Sequence, residues 1–208
     1  MLRRILFVCT HPNQYTGYAK VGYNLLKETS KEFPDAVITC FGFHAASETN
    51  MKRELPSNVT VYKVIPRQGD TYGYNQIQEM IKISQPTHVF IYNDPCVTKK
   101  FMEEISKVKP QGCKVNVYLD VVYPKSYESE RDYITREADI VIAFSESWQS
   151  EIAGAHTYMY HGVDETVKQL SKAQAKQVLG LPQNRMVILN VNTNTTRKRY
   201  DLLMEAIA

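Results

Sequence analysis

The sequence predicts an α/β protein built on a doubly wound parallel sheet, on three observations. Short apolar, β-branched runs alternate with longer segments of helical period, the pattern of a parallel sheet covered by helices. Most of those runs are continuously apolar, as strands buried on both faces must be. The composition, 43% hydrophobic and 23% charged over 208 residues, supplies ample material for a core and excludes disordered and fibrous classes.

The first strand is expected over residues 4–9. Its apolar stretch is shorter than the roughly 7–15 residues of a signal-peptide core and runs straight into polar His11 to Gln14, without a small-residue cleavage site. A helix over 19–33 follows, with Val21, Leu25 and Leu26 at helical spacing and a stop at Phe33 before Pro34. Strands are expected over 36–43 and 59–65, with polar, turn-rich loops over 53–57 and 66–73. Then come helix 75–84, strand 88–92, helix 98–108, strand 114–119, helix 128–137 and strand 140–144. Ser145 is placed to cap a helix over 146–153, and a strand over 157–160 closes the series. Beyond it the β-α rhythm weakens and a domain boundary falls near Asp164, dividing the chain into 1–164 and 165–208. The second part has a helix over 172–179 with Gly180 as C-cap, a strand over 186–191 and a helix from Tyr200. A lone β-α unit has no second layer to pack on, so the chain is expected to stop inside a second α/β domain.

Charge and cysteine usage narrow the function classes. With 25 basic against 22 acidic residues the net charge is +3, too small to mark a nucleic-acid binder. Cys9, Cys40, Cys96 and Cys113 form no C-x-x-C pair, which argues against a zinc site or disulfide framework and for reduced core thiols in a cytoplasmic setting. No apolar stretch approaches the roughly 20 residues that span a bilayer. Membrane contact would be peripheral, through Lys99, Lys100, Lys107 and Lys109, although at this net charge a solvated lysine face is the expectation.

Thr10-His11-Pro12 ends the first strand, and the loop passes Thr16-Gly17-Tyr18 before a helix begins. In a doubly wound sheet such a loop lies at the carboxyl ends of the strands, where ligands bind. A glycine at the helix start lets a substrate approach the backbone, and free N–H groups there favour an anion. Neither G-x-G-x-x-G nor G-x-x-x-x-G-K-[ST] occurs, so the ordinary reading of Gly17 alone is a turn glycine.

Three stretches add to this. Residues 138–148, Ala-Asp-Ile-Val-Ile-Ala-Phe-Ser-Glu-Ser-Trp, resemble the "ADxVIAxSE" segment of the nucleotide-sugar glycosyltransferases of the GT-B fold, family 4 (glycosyl transferases group 1). His161-Gly162-Val163-Asp164 is similar to that family's "NGVD" turn. Leu179-Gly180-Leu181-Pro182, residues 186–191, Arg197-Lys198 and residues 201–206 are similar to its "LGLP…VILxVGR…RKGxDLLIEA" start of the C-terminal domain, in the same order. The resemblance implies a Rossmann-like N-terminal acceptor-side domain joined to the first β-α unit of a second, nucleotide-sugar-binding one. It also implies transfer from a UDP- or GDP-sugar, GDP-mannose being a common donor, to a hydroxyl of a glycan or other acceptor. Family members usually retain the anomeric configuration and need no divalent metal, so no cofactor is expected.

Carried over by position, the family's phosphate-approaching glycine matches Gly17, preceded by Thr16 instead of a second glycine. Its phosphate-clamping lysine matches Lys198, with Arg197 beside it, where a cation would offset charge on a leaving diphosphate. Asn192-Thr193 stands where the family has Gly-Arg, which puts Asn192 at the phosphates and leaves Arg197 to compensate for the missing cation. Asp120 follows the strand after which many members carry a histidine; its carboxylate could orient an acceptor hydroxyl or act as a base, or it is a turn aspartate. Asn93 and Asp94 could line the acceptor cleft, or form a turn before Pro95. His88, beginning a strand, reads as structural. The family's E-x7-E donor motif is not in this chain. These departures also fit a second class of function, a non-catalytic glycan- or partner-binding module. Tyr15, Tyr18, Tyr23, Tyr72 and Tyr74 lie near predicted loops; tyrosine suits sugar recognition, and packing is its ordinary role.

Overall fold

The structure, a computed structural model, describes residues 2–44, 52–121, 126–162, 169–192 and 196–207. The chain divides into two compact units, Met1–Val163 and Asp164–Ala208.

In the first unit the elements run β1 (Arg4–Thr10), α1 (Gly17–Glu32), β2 (Val37–Phe43), β3 (Val59–Lys63), α2 (Tyr74–Ser84), β4 (His88–Asn93) and α3 (Pro95–Ser106). They continue with β5 (Lys114–Leu119), α4 (Glu128–Glu137), β6 (Ile140–Ala143), α5 (Glu146–Glu151) and β7 (Thr157–Tyr158). All seven strands are parallel, in the order β3-β2-β1-β4-β5-β6-β7. This is the Rossmann-like sheet the sequence predicts. The chain winds outward from β1 to β3, then crosses back to place β4 on the other side of β1. The crevice between the carboxyl ends of β1 and β4 is therefore the topological switch point, where ligands bind in such sheets.

The two faces of the sheet are covered unequally. Leu6, Val8, Phe41, Phe43, Val89, Ile91, Val117 and Leu119 form one buried core with α2, α3 and α4 residues such as Ile77, Phe101 and Ile134. On the other face Phe7, Cys9, Ile38, Cys40, Tyr92 and Tyr118 pack with Leu26 of α1. Within this unit α1 is too narrow to roof the whole second face, which leaves Phe90 and Ile142 only half-buried. Cover by helices on both faces thus holds for β1 and β2 but only in part for β4 to β6. Gly22 lets α1 approach closely: a Cβ there would stand 3.2 Å from Cys9 Sγ. All four cysteines are free thiols.

Helix starts follow side-chain chemistry. Thr16, Asp94 and Ser145 accept the backbone N–H of Ala19, Val97 and Trp148 to cap α1, α3 and α5. α1 begins two residues earlier than periodicity places it because Thr16 supplies that cap. α3 begins at Pro95 because proline suits the first helical position, where no N–H is needed.

In the second unit Ser171 and Gln174 form a capping box at α6 (Lys172–Val178). Gly180, with φ +65, ends that helix as expected, while Leu181 N donates to Lys176 O. Lys176 is buried and its Nζ donates to the carbonyls of Gln183 and Arg185, at 3.0 and 2.5 Å, fixing the turn that follows. A short 3₁₀ turn over Thr196–Lys198 precedes α7 (Tyr200–Ile207). Residues 186–191 do not form the expected strand: Met186, Leu189 and Val191 are 76–87% exposed. A strand exists only through its ladder partners, and among the described residues none lies beside this stretch.

Candidate functional site

The residues at the switch point are held by backbone that continues the sheet past its strands. His11 N donates to Phe43 O at 2.8 Å, and Asp120 N to Asn93 O at 3.3 Å. The loop after β1 is anchored from a distance: Arg53 N donates to Asn13 Oδ1 at 3.0 Å, and the Arg53 guanidinium donates to the carbonyls of Pro12 and Gln14. Gly17 opens α1, where a Cβ would meet nothing within 4 Å. Among the described residues, neither packing nor backbone strain demands glycine there.

Around Asp120 the structure gathers three phenols. The Tyr18 phenol lies near the Asp120 carboxylate, whose charge acts on it. The Tyr18 and Tyr92 rings lie 5.2 Å apart, and Tyr92 stacks on Tyr118 at 5.0 Å. Burial first, and then the negative charge of Asp120, push all three phenols well above their ordinary pKa, so they remain O–H donors. Tyr118 Oη donates to Met159 O at 2.7 Å, and Tyr92 Oη is 3.4 Å from His161 Nε2. The His161 ring stands edge-on to Tyr118 at 5.6 Å. Beside this cluster, Val21, Leu25, Tyr118, Met159 and His161 help line a cavity of about 230 Å³.

Asn93 and Asp94 lie at the same end of the sheet. Asn93 is buried and its Oδ1 accepts Asp94 N at 2.9 Å. The Asp94 carboxylate caps α3 through Val97 N at 3.2 Å, and its charge reaches the phenols of Tyr18, Tyr72 and Tyr74. The first unit thus brings together Thr16, Gly17, Asn93, Asp94 and Asp120. Asn192, Arg197 and Lys198 belong to the second unit, where Asn192 Nδ2 donates to Asn190 Oδ1 and Lys198 is half-buried in the 3₁₀ turn. His88 pairs with Thr87, its Nδ1 3.0 Å from Thr87 Oγ1, the structural setting expected for it. Lys99 and Lys107 pair with Glu103 and Glu104 on the surface of α3 and just beyond it.

The sequence reading passed over Tyr92, Tyr118 and His161 as site neighbours. The signal was available: a tyrosine as penultimate residue in each of two apolar runs falls at the carboxyl ends of adjacent strands. Among the described residues, no group of three or more His, Cys, Asp or Glu stands close enough to hold a metal ion.

No protein-family model matches the chain. No curated protein matches it either. Solved structures do. A crystal structure of Anabaena Alr3699/HepE in complex with UDP and glucose aligns with a TM-score of 0.53 at 17% identity, over 86% of this chain and 50% of that one. The same protein in complex with UDP-glucose gives 0.51 at 16%, over 85% and 49%. The likeness is one of fold, and this chain spans about half the length of those structures.

Proposed function

We propose that the chain is the acceptor-side domain and the beginning of the donor-side domain of a GT-B, family 4-like glycosyltransferase. It moves a hexose from a UDP- or GDP-sugar to a hydroxyl of a glycan or other acceptor, with retention and without a metal, in the cytoplasm. The observation that carries this is the Asp120 carboxylate, placed at the switch point beside Asn93 and Asp94 and close enough to the Tyr18 phenol for its charge to act on it. The sheet shared with a protein crystallised with UDP-glucose, and with UDP and glucose, supports it.

In this reading Thr16 and Gly17 admit the donor's phosphates to the start of α1, where the space above Gly17 leaves room for them. Lys198, Arg197 and Asn192 answer the charge that develops on the leaving diphosphate. Asp120, beside the Tyr18 phenol, orients the acceptor hydroxyl and takes its proton, and Asn93 and Asp94 line the acceptor side. Among the described residues no helix is long and apolar enough to cross a membrane. Any contact with lipid is peripheral.

A donor panel on the protein at the length its native gene encodes tests the reading. One UDP- or GDP-sugar should release its nucleoside diphosphate in the presence of an acceptor. Lys198→Ala should cut that turnover by roughly a hundredfold, the scale of losing one group that stabilises developing charge, with the melting temperature unchanged. Wild-type turnover in a normally folded variant would sink it. Asn192 and Thr193, which stand where the resemblance has Gly-Arg, and Asp120 in place of a histidine favour a second reading, a non-catalytic glycan- or partner-binding module. That module would show affinity for a sugar without any nucleotide dependence.

A further inference from the structure

The cavity beside Tyr118 has fixed walls. Val21 and Leu25, four residues apart on α1, share one face of that helix and form one wall, with the neighbouring Leu26 buried in the core to anchor them. Met159 and His161, which follow β7, form another. Tyr118 lines the cavity from β5 and holds that second wall in place. Its Oη donates to Met159 O at 2.7 Å, and the His161 ring stands edge-on to it at 5.6 Å. Among the described residues neither lysine nor arginine lines the cavity, and the carboxylate of Glu28 at its edge is taken up by Lys31 Nζ at 2.8 Å. The space also leads to the switch point. Asp120 N donates to Asn93 O at 3.3 Å, so the backbone keeps its extended course past the end of β5. Alternate residues on such a course point to one face, roughly 6–7 Å apart, which makes Tyr118 and Asp120 neighbours on that face.

We infer that this cavity holds an uncharged alkyl group of the acceptor, next to the hydroxyl presented to Asp120, so that the acceptor is an alkyl glycoside. Val21, Leu25 and Met159 reward the removal of methylene groups from water, and the absence of lysine and arginine leaves nothing to answer a phosphate or carboxylate at this position. A volume of about 230 Å³ has room for roughly eight water-sized atoms, at the ~30 Å³ each takes in the liquid. The inference rests on the acceptor-side reading above and adds to it the acceptor's class and the residues that select it.

Saturation-transfer NMR titration of the 208-residue chain with methyl and hexyl β-D-glucopyranoside tests it. The two probes differ only in the alkyl group, so the ratio of their affinities reads the cavity whatever sugar the protein takes. Hexyl should bind at least about tenfold tighter than methyl, each buried methylene being worth about fourfold. Val21→Trp, which puts a large ring into the cavity, should bring the two probes within about twofold of each other. Leu25→Ala guards against a Val21 variant that merely misfolds: it lengthens the cavity and should move the preference from the hexyl to the octyl glucoside. No binding of either probe, a ratio near one, or a hexyl preference that neither variant alters overturns the inference. Loss of that preference in the protein at the length its native gene encodes overturns it as well, because another segment then fills the space. Failure of the donor panel with the alkyl preference intact would instead remove only the transferase reading.

Discussion

His11 is the first residue beyond β1, and its Nδ1 accepts Asn13 N at 3.2 Å, a role open only to the unprotonated nitrogen. Burial, and then the charge of Lys63, hold its pKa below the ordinary 6.5. The folded state therefore binds fewer protons than the unfolded one as pH drops. The stability this provides is complete above about 6.5 and is lost as pH falls through the lowered folded value. Urea midpoints should fall between pH 7 and pH 5, and His11→Gln should flatten that slope; equal slopes would discount the histidine. Single residues also explain why the segment resembling "ADxVIAxSE" was legible. Asp139 accepts Val115 N and Lys114 Nζ, both at 2.8 Å, and ties the start of β5 to β6; burial alone would raise its pKa, but these two partners bring it down. Ser145 caps α5. The motif is visible because it encodes architecture, whereas Tyr18 and Asp120 approach one another only through folding, and nothing in their spacing announces that proximity.

At the scale of elements, α2 depends on the residue before it. Gly73 is the N-cap, with φ +79, and a Cβ there would come within 2.5 Å of Val64 Cγ1. Gly73→Ala should cost about 2–4 kcal/mol, from the left-handed backbone and the overpacking together, read as a lower urea midpoint at unchanged m. A loss under about 0.5 kcal/mol would mean the turn relaxes freely. Periodicity located α2 to within a residue but read the loop before it only as polar and turn-rich. What orders 66–73 is a set of long-range partners, Gln76 with Ile65 and Tyr72 with Phe43, and a local pattern cannot display those.

For the whole molecule, the division into units predicts two levels of protection. Amides of β1, β4 and β5, paired on both sides, should exchange over the slowest times the protein shows, and amides over 186–191 should exchange orders of magnitude faster. Comparable protection in both would mean the stretch pairs with a strand that is not among the described residues. The sequence revealed the sheet because continuous apolar runs are a strong signal. It misjudged 186–191 because apolar character marks a strand's appetite for neighbours and says nothing of whether they are present.

The strand order also has a temporal side. β1 is made first, yet one of its two neighbours is β4, with Ile5 opposite His88, and the Asp120 that completes the Tyr18 contact comes later still. During synthesis the Ile-Leu-Phe-Val run of β1 must wait with one edge bare while some eighty residues emerge. Long-range parallel pairing of this kind is slow and leaves sticky edges open to other chains. The crevice between β1 and β4 thus cannot form until β4 has been made, and until then the inner edge of β1 is open to pairing with other chains.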